Sequence, residues 1–164
     1  MSAKYFGARV NRLEDPALLT GRGRFVDDIK LPGLLHACFV RSPHAHAKFH
    51  GIEKNAALAI PGVQAVLAAD DLPDPMRHTP MPMLLPNPAI VAPRTQTALA
   101  RDEVNYVGQP IAAVIADTRY IAEDAATSMM IDYDVLDAVC DCRDAIKDGA
   151  PRAHSDLASN VKAV

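Results

Sequence analysis

Seven of the chain's thirteen prolines fall in one stretch, at Pro73, Pro75, Pro80, Pro82, Pro86, Pro88 and Pro93. Each removes a backbone donor and fixes φ, so no central strand or regular helix can run through Leu72 to Arg94. The segment reads as a long, largely extended loop, and the core must be assembled from the residues before and after it. With 164 residues, 49% hydrophobic and 23% charged, there is enough chain for one domain with a real core.

Before the loop, residues 1 to 33 carry turn residues (Asp15-Pro16, Gly21, Gly23, Pro32-Gly33) and little periodicity. They read as an extended arm, with room for one short strand near Phe25-Val26. Leu34 to Arg41 is apolar on both faces, as a buried strand would be. Ile52, Ala56, Ala59 and Ile60 recur at helical spacing, and Pro61-Gly62 stops that helix. Val63 to Ala68 alternates as a strand does, and Asp70-Asp71 turns the chain into the loop.

After the loop, Val104 to Val107 and Ile111 to Ala116 read as one strand, bent at Gly108-Gln109-Pro110. Asp117 and Thr118 are N-cap residues for a helix striped by Ile121, Ala125 and Met129. Ile131, Tyr133 and Val135 alternate with aspartates, as in a half-buried strand. Cys142, Ala145 and Ile146 share a face of a last short helix, which Gly149 ends. The order is β-α-β, long loop, β-α-β-α, a mixed α/β or α+β domain without internal repeats. The boundaries expected are an arm at 1–33, a domain at 34–150 and a tail at 151–164.

The net charge of −3 argues against nucleic-acid binding, which rests on neutralised phosphates. No apolar stretch reaches the roughly 20 residues that span a bilayer. The first nineteen residues lack the apolar core of a signal peptide. Three cysteines, Cys38, Cys140 and Cys142, are too few and too uneven for a disulfide framework. A reducing cytoplasm is the simplest compartment these features fit.

Local signals for chemistry are incomplete. His44 and His46 sit two apart, but a metal site needs a third and usually a fourth ligand, which favours a structural or interface role. His36, His50, His78 and His154 are scattered. Cys140 and Cys142 have no second thiol pair to complete a zinc or iron–sulfur site, and Cys142 lies on an apolar stripe, as a small buried hydrophobe would. Cys38, inside an apolar strand, reads as structural. Arg9, Arg12, Arg22 and Arg24 cluster in the arm without a phosphate-loop or dinucleotide motif, so a solvated or partner-facing arm is the better reading. Met81-Pro82-Met83 lacks the central lysine of a carrier domain, and no G-x-S-x-G occurs. Gln109 sits at the bend. One reading sends its amide toward a substrate channel; the preferred one uses it to satisfy backbone groups freed by a bulge.

Taken as phrases, several segments form an ordered set. They are RLEDPALLTGRGRFVDD at 12–28, LPGLLH at 31–36, VRSPHAHA at 40–47, PGV at 61–63, YVGQP at 106–110, ADTRYIAEDAA at 116–126, Asp132-Tyr133 and SNV at 159–161. Together they resemble the start of the large, molybdenum-binding subunit of the xanthine dehydrogenase, aldehyde oxidase and carbon monoxide dehydrogenase family, over essentially Arg9 to Val161. The resemblance implies an α/β-hammerhead fold with a mixed sheet and about three helices. It implies an oxidoreductase that hydroxylates a carbon centre with water, its electrons leaving molybdenum through two [2Fe-2S] clusters, usually to FAD. These groups, molybdopterin included, belong to the assembled enzyme, commonly on separate large, small and medium subunits.

In that family the pterin loops and the catalytic glutamate lie far downstream, so the resemblance places no catalytic, cofactor-binding or metal-binding residue on this chain. The role it implies is structural: packing on molybdopterin-binding domains and an iron–sulfur subunit, either as a split subunit or as part of a longer chain, inactive alone. Candidate contacts are Arg12, Arg22, Arg24, the His44/His46 corner and the proline-rich loop. Apolar surface should be exposed where neighbours are lost. An independent metal- or small-molecule-binding module reusing the fold is the alternative. A stand-alone enzyme would need a convergent nucleophile, base and stabilising donors, and none converge. Cys140 departs from the family, whose members more often carry an aliphatic residue there.

Overall fold

In the computed structural model, residues 7, 10–81, 87–90 and 95–163 are described. The chain divides into two compact units, 1–34 and 35–164.

The first unit holds a short helix, α1 (Asp15–Leu19), opened by Pro16 in its first turn, and a 3-10 turn at Val26–Asp28. The strand expected near Phe25-Val26 is therefore absent. The Asp28 carboxylate accepts the Phe25 N–H at 2.9 Å, and that local bond folds the segment into a turn instead. Leu13, Leu19 and Val26 are 99%, 86% and 83% exposed, and the described residues of this unit enclose no core.

The second unit is built on two three-stranded antiparallel sheets rather than one mixed sheet. Its strands are β1 (His36–Arg41), β2 (Ala47–Glu53), β3 (Val63–Ala68), β4 (Glu103–Val104), β5 (Pro110–Ala116) and β6 (Met130–Val135). The first sheet runs β1-β5-β3 and the second β4-β2-β6. The helices are α2 (Asn55–Leu58), α3 (Arg119–Ser128) and α4 (Cys142–Ala145). Thr118 caps α3 by accepting the Ile121 N–H, as its sequence position predicts.

β5 is the central strand, and its run PIAAVIA is apolar because both of its faces are covered. Ala112 and Val114 enter one core with Ala57, Val66, Ala125 and Met129. Ile111 enters a second core with Ala47, Phe49, Ala100 and Val104. Alanines at 112, 122 and 125, all fully buried, let α3 lie close on the first sheet. Ile52 borders both cores.

Several sequence expectations are corrected here. β1 alternates between half-buried and exposed residues, with Phe39 46% exposed, so it is not covered on both faces. β2 is a strand where the spacing from Ile52 predicts a helix. A register shift between Phe49 and Gly51 moves Ile52 onto the buried face, which breaks the two-residue alternation. The bent strand at 104–116 is two strands in different sheets, and the chain crosses between them at Gly108, whose φ of 90° requires glycine. Cys142 and Ile146 are exposed, so the apolar face of α4 is not buried within this chain. The proline-rich segment is partly turned rather than extended, because Pro73 and Pro75, which cannot donate, still accept bonds from Arg77, His78 and Thr79 N–H. Pro82, Pro86 and Pro93, like Met83 and Arg9, lie outside the described residues.

Candidate functional site

A dense polar cluster gathers where β2 begins, β4 passes and the chain leaves β6. The Ser42–His46 corner forms because Ser42 is bonded at both ends of its peptide: its N–H donates to Gln109 O at 2.9 Å and its carbonyl accepts from Gly108 N at 2.8 Å. The Ser42 hydroxyl donates to His44 O at 2.9 Å and accepts the His44 N–H at 3.0 Å, closing the corner. Arg41 Nη1 donates to Gly108 O at 2.8 Å.

From this corner the two histidines diverge. His44 packs edge-on against Tyr133, with ring centroids 4.8 Å apart. His46 turns inward and is 5% exposed. Its Nε2 lies 2.8 Å from Glu103 Oε1, and its Nδ1 lies 3.0 Å from the backbone oxygen of Asp137. Each ring nitrogen thus faces an oxygen acceptor, one a backbone carbonyl and the other a carboxylate.

Glu103 is the hub. Its Oε1 also accepts from Asn105 Nδ2 at 2.8 Å and from Ser155 N at 2.9 Å. Burial pushes this carboxyl up. The bonds from Ser155 N–H, His46, Asn105 and the Ser155 side chain outweigh that, and hold it below the usual glutamate range. Asn105 Nδ2 also reaches Ala153 O at 2.8 Å. Asn160 then ties the 151–163 segment together, donating to Ala145 O and Pro151 O, both at 2.9 Å, and accepting from Ala153 N at 2.8 Å.

Gln109 is 7% exposed, and its Oε1 accepts the Asn105 N–H at 2.7 Å. Its amide therefore serves backbone at the β4–β5 crossing. Beside the cluster lies an open groove of about 1020 Å³, with Glu103, Asn105 and Gln109 along it and Arg101, Tyr106 and Lys162 among its lining residues.

This arrangement fastens chain segments together. It offers no nucleophile beside a base and no pair of donors aimed at a reacting atom. Among the described residues, no group of three or more His, Cys, Asp or Glu is placed to hold a metal ion. Nor is any helix among the described residues long and apolar enough to cross a membrane. Cys38 has its thiol pushed up by burial and by Glu123, against the lowering effect of Arg41. In the first unit, Arg12 pairs with Glu14 at 3.3 Å, Arg22 Nε donates to Thr20 at 3.0 Å, and Arg24 is exposed.

Sequence reasoning picked out His46 and Gln109 but missed Glu103, Asn105, Asp137 and Ser155. Glu103 and Asn105 did carry a signal: two polar residues at i and i+2, flanking Val104, point to one side of a strand.

Residues 20–137 match the family model described as the aldehyde oxidase and xanthine dehydrogenase α/β hammerhead domain. This chain belongs to that family. The matched hammerhead region contains all six strands and His46, Glu103, Gln109 and Asp137, whereas Ser155 lies beyond it. The carbon monoxide dehydrogenase large chain of Hydrogenophaga pseudoflava is 46% identical over 148 residues, 90% of this chain and 17% of that one. The nicotine 6-hydroxylase large subunit of Paenarthrobacter nicotinovorans is 40% identical, over 94% of this chain and 18% of its own length. Among solved structures, the aldehyde oxidoreductase of Desulfovibrio gigas superposes with a TM-score of 0.82 at 28% identity, over 92% of this chain and 17% of that one. A Cu,Mo-CO dehydrogenase gives 0.77 at 38%, over 96% and 19%. The hammerhead chain thus spans about a fifth or less of the relatives it matches.

Proposed function

We propose that this hammerhead domain is a structural and assembly element of a molybdenum hydroxylase, an oxidoreductase of the aldehyde, xanthine or carbon monoxide dehydrogenase kind, and that it is inactive alone. It packs on molybdopterin-binding domains and on an iron–sulfur subunit, in an assembly completed by an FAD subunit and located in the cytoplasm. The observation that carries this reading is the match to proteins named as large chains and large subunits, over only 17–18% of their length. Two further features support it. The polar cluster fastens segments rather than assembling a reactive set, and the 1–34 unit leaves Leu13, Leu19 and Val26 almost wholly exposed, as a segment completed by neighbours would.

The contacts proposed are Arg12, Arg22, Arg24 and His44, all on the surface or half-buried. His46 acts by positioning the corner that presents His44, because both of its ring nitrogens are engaged inside the domain. The test is association of the purified chain with an iron–sulfur subunit and the remaining large-subunit domains. Replacing Arg22 and His44 by alanine should weaken association about tenfold or more, the loss expected for interface residues worth over ~1 kcal/mol each. Unchanged association with unchanged folding overturns the contact assignment.

A further inference from the structure

We propose that Cys140 and Cys142 form a redox-active dithiol, a modification site that closes to a disulfide when it exchanges with a small disulfide of the glutathione type, and that closure unfastens α4.

The three cysteines are not equivalent. All three are free, but Cys38 is half-buried and its thiol is pushed up, whereas Cys140 and Cys142 are exposed. They flank Asp141, whose φ of −97° and ψ of 126° are extended. Side chains at i and i+2 of an extended segment lie on one side, so the two thiols share a face. At a rise of roughly 3.3 Å per residue their α-carbons stand about 6.6 Å apart, near the upper limit at which a disulfide can bridge. The dithiol is therefore the form that suits the present backbone, and the bridge requires Asp141 to leave its extended conformation.

Asp141 is also the residue from which α4 hangs. Its carboxylate accepts the Arg143 N–H at 2.7 Å and the Arg143 guanidinium at 2.9 and 3.2 Å. Its carbonyl accepts from Asp144 N at 3.1 Å and Ala145 N at 2.9 Å. One turn further on, Ala145 O receives Asn160 Nδ2, the bond that joins α4 to the 151–163 segment. Drawing Cys140 and Cys142 together turns Asp141, removes the cap and the first-turn bonds, and displaces Ala145 O, one of the two carbonyls to which Asn160 Nδ2 donates.

The exchange balances in two steps. One cysteine thiolate attacks a sulfur of the small disulfide, forming a mixed disulfide and expelling one small thiolate. The second cysteine thiolate attacks the protein sulfur of that mixed disulfide and expels the other. Two protein thiols are oxidised by two electrons, the small disulfide is reduced to two thiols, and the two cysteine protons end on those thiols.

The test uses the 164-residue chain in glutathione redox buffers, quenched with an alkylating agent and read by peptide mass and by amide hydrogen exchange. The expected product is an internal Cys140–Cys142 disulfide, two hydrogens lighter than the dithiol, with Cys38 still alkylated. Exchange at Arg143 and Ala145 N–H should quicken at least tenfold on oxidation and return on reduction. Cys140→Ser and Cys142→Ser should each leave a lasting glutathione adduct on the remaining cysteine, while Cys38→Ser should behave as the parent chain does. Glutathione held on both cysteines at once, or an internal disulfide that leaves exchange at Arg143 and Ala145 unchanged, overturns the proposal.

Discussion

Replacing His46 by alanine probes the fastening cluster directly. The imidazole nitrogens lie within hydrogen-bond distance of Glu103 and of the Asp137 carbonyl, and the residue is 5% exposed. The bond to a carboxylate is charge-assisted and contributes about 1.5–3 kcal/mol, and the neutral one contributes about 1 kcal/mol. Breaking a fully buried ion pair costs more, but here the Glu103 side chain is 20% exposed and keeps the Asn105 and Ser155 donors. The net expectation is a loss of about 3 kcal/mol, or roughly 6–12 °C in Tm for a chain of this length. Urea unfolding should show the midpoint falling with an unchanged slope. Acid sensitivity should change as well. Glu103 is held below its unfolded value of about 4.3, so its contribution is present above that pH and is lost as pH falls through the lower folded value. With one of its stabilising donors gone, the His46→Ala chain should lose less stability on acidification than the parent. A loss under about 1 kcal/mol, with an unaltered acid profile, would refute the view that this cluster fastens the domain.

Three other substitutions test separate joints. Gln109→Ala deprives the Asn105 N–H of its acceptor and should cost about 1–3 kcal/mol by chemical denaturation, and an unchanged midpoint would contradict that role. Gly62→Ala forces a side chain onto a φ of 91°, with a β-carbon 2.8 Å from Ile121 Cδ1. The Ile121 tip can move, so the backbone strain of about 1–3 kcal/mol dominates, and a thermal melt matching the parent would contradict it. Thr118→Ala removes the α3 cap and should cost about 1 kcal/mol, while Thr118→Ser should restore most of the loss in the same melt.

What could be read from sequence followed from how local each signal is. Val63 to Ala68 and the Thr118 cap rest on alternation and on one residue's preference for an N-terminal turn, and both are found where expected. β2 was hidden because its alternation is interrupted between Phe49 and Gly51, which put Ile52 in step with Ala56 and Ala59. The crossing at Gly108 was seen as a bend, but nothing local says that a chain leaving one sheet will join another. For the cluster, His46 and Gln109 stood out by residue type. Its hub did not, because Glu103 acquires its role from Ser155, fifty-two residues away, and from a histidine fifty-seven residues earlier. The exposure of Cys142 was equally hidden: a short apolar stripe indicates a face to be covered without indicating what covers it.

The most direct test of the central claim is affinity isolation of the tagged chain from its own host, with molybdenum and iron quantified in the eluate. As an assembly domain of a molybdenum hydroxylase, it should be recovered in a larger complex containing both metals. A clean, metal-free monomer would contradict that account and would return the hammerhead to a use of its own.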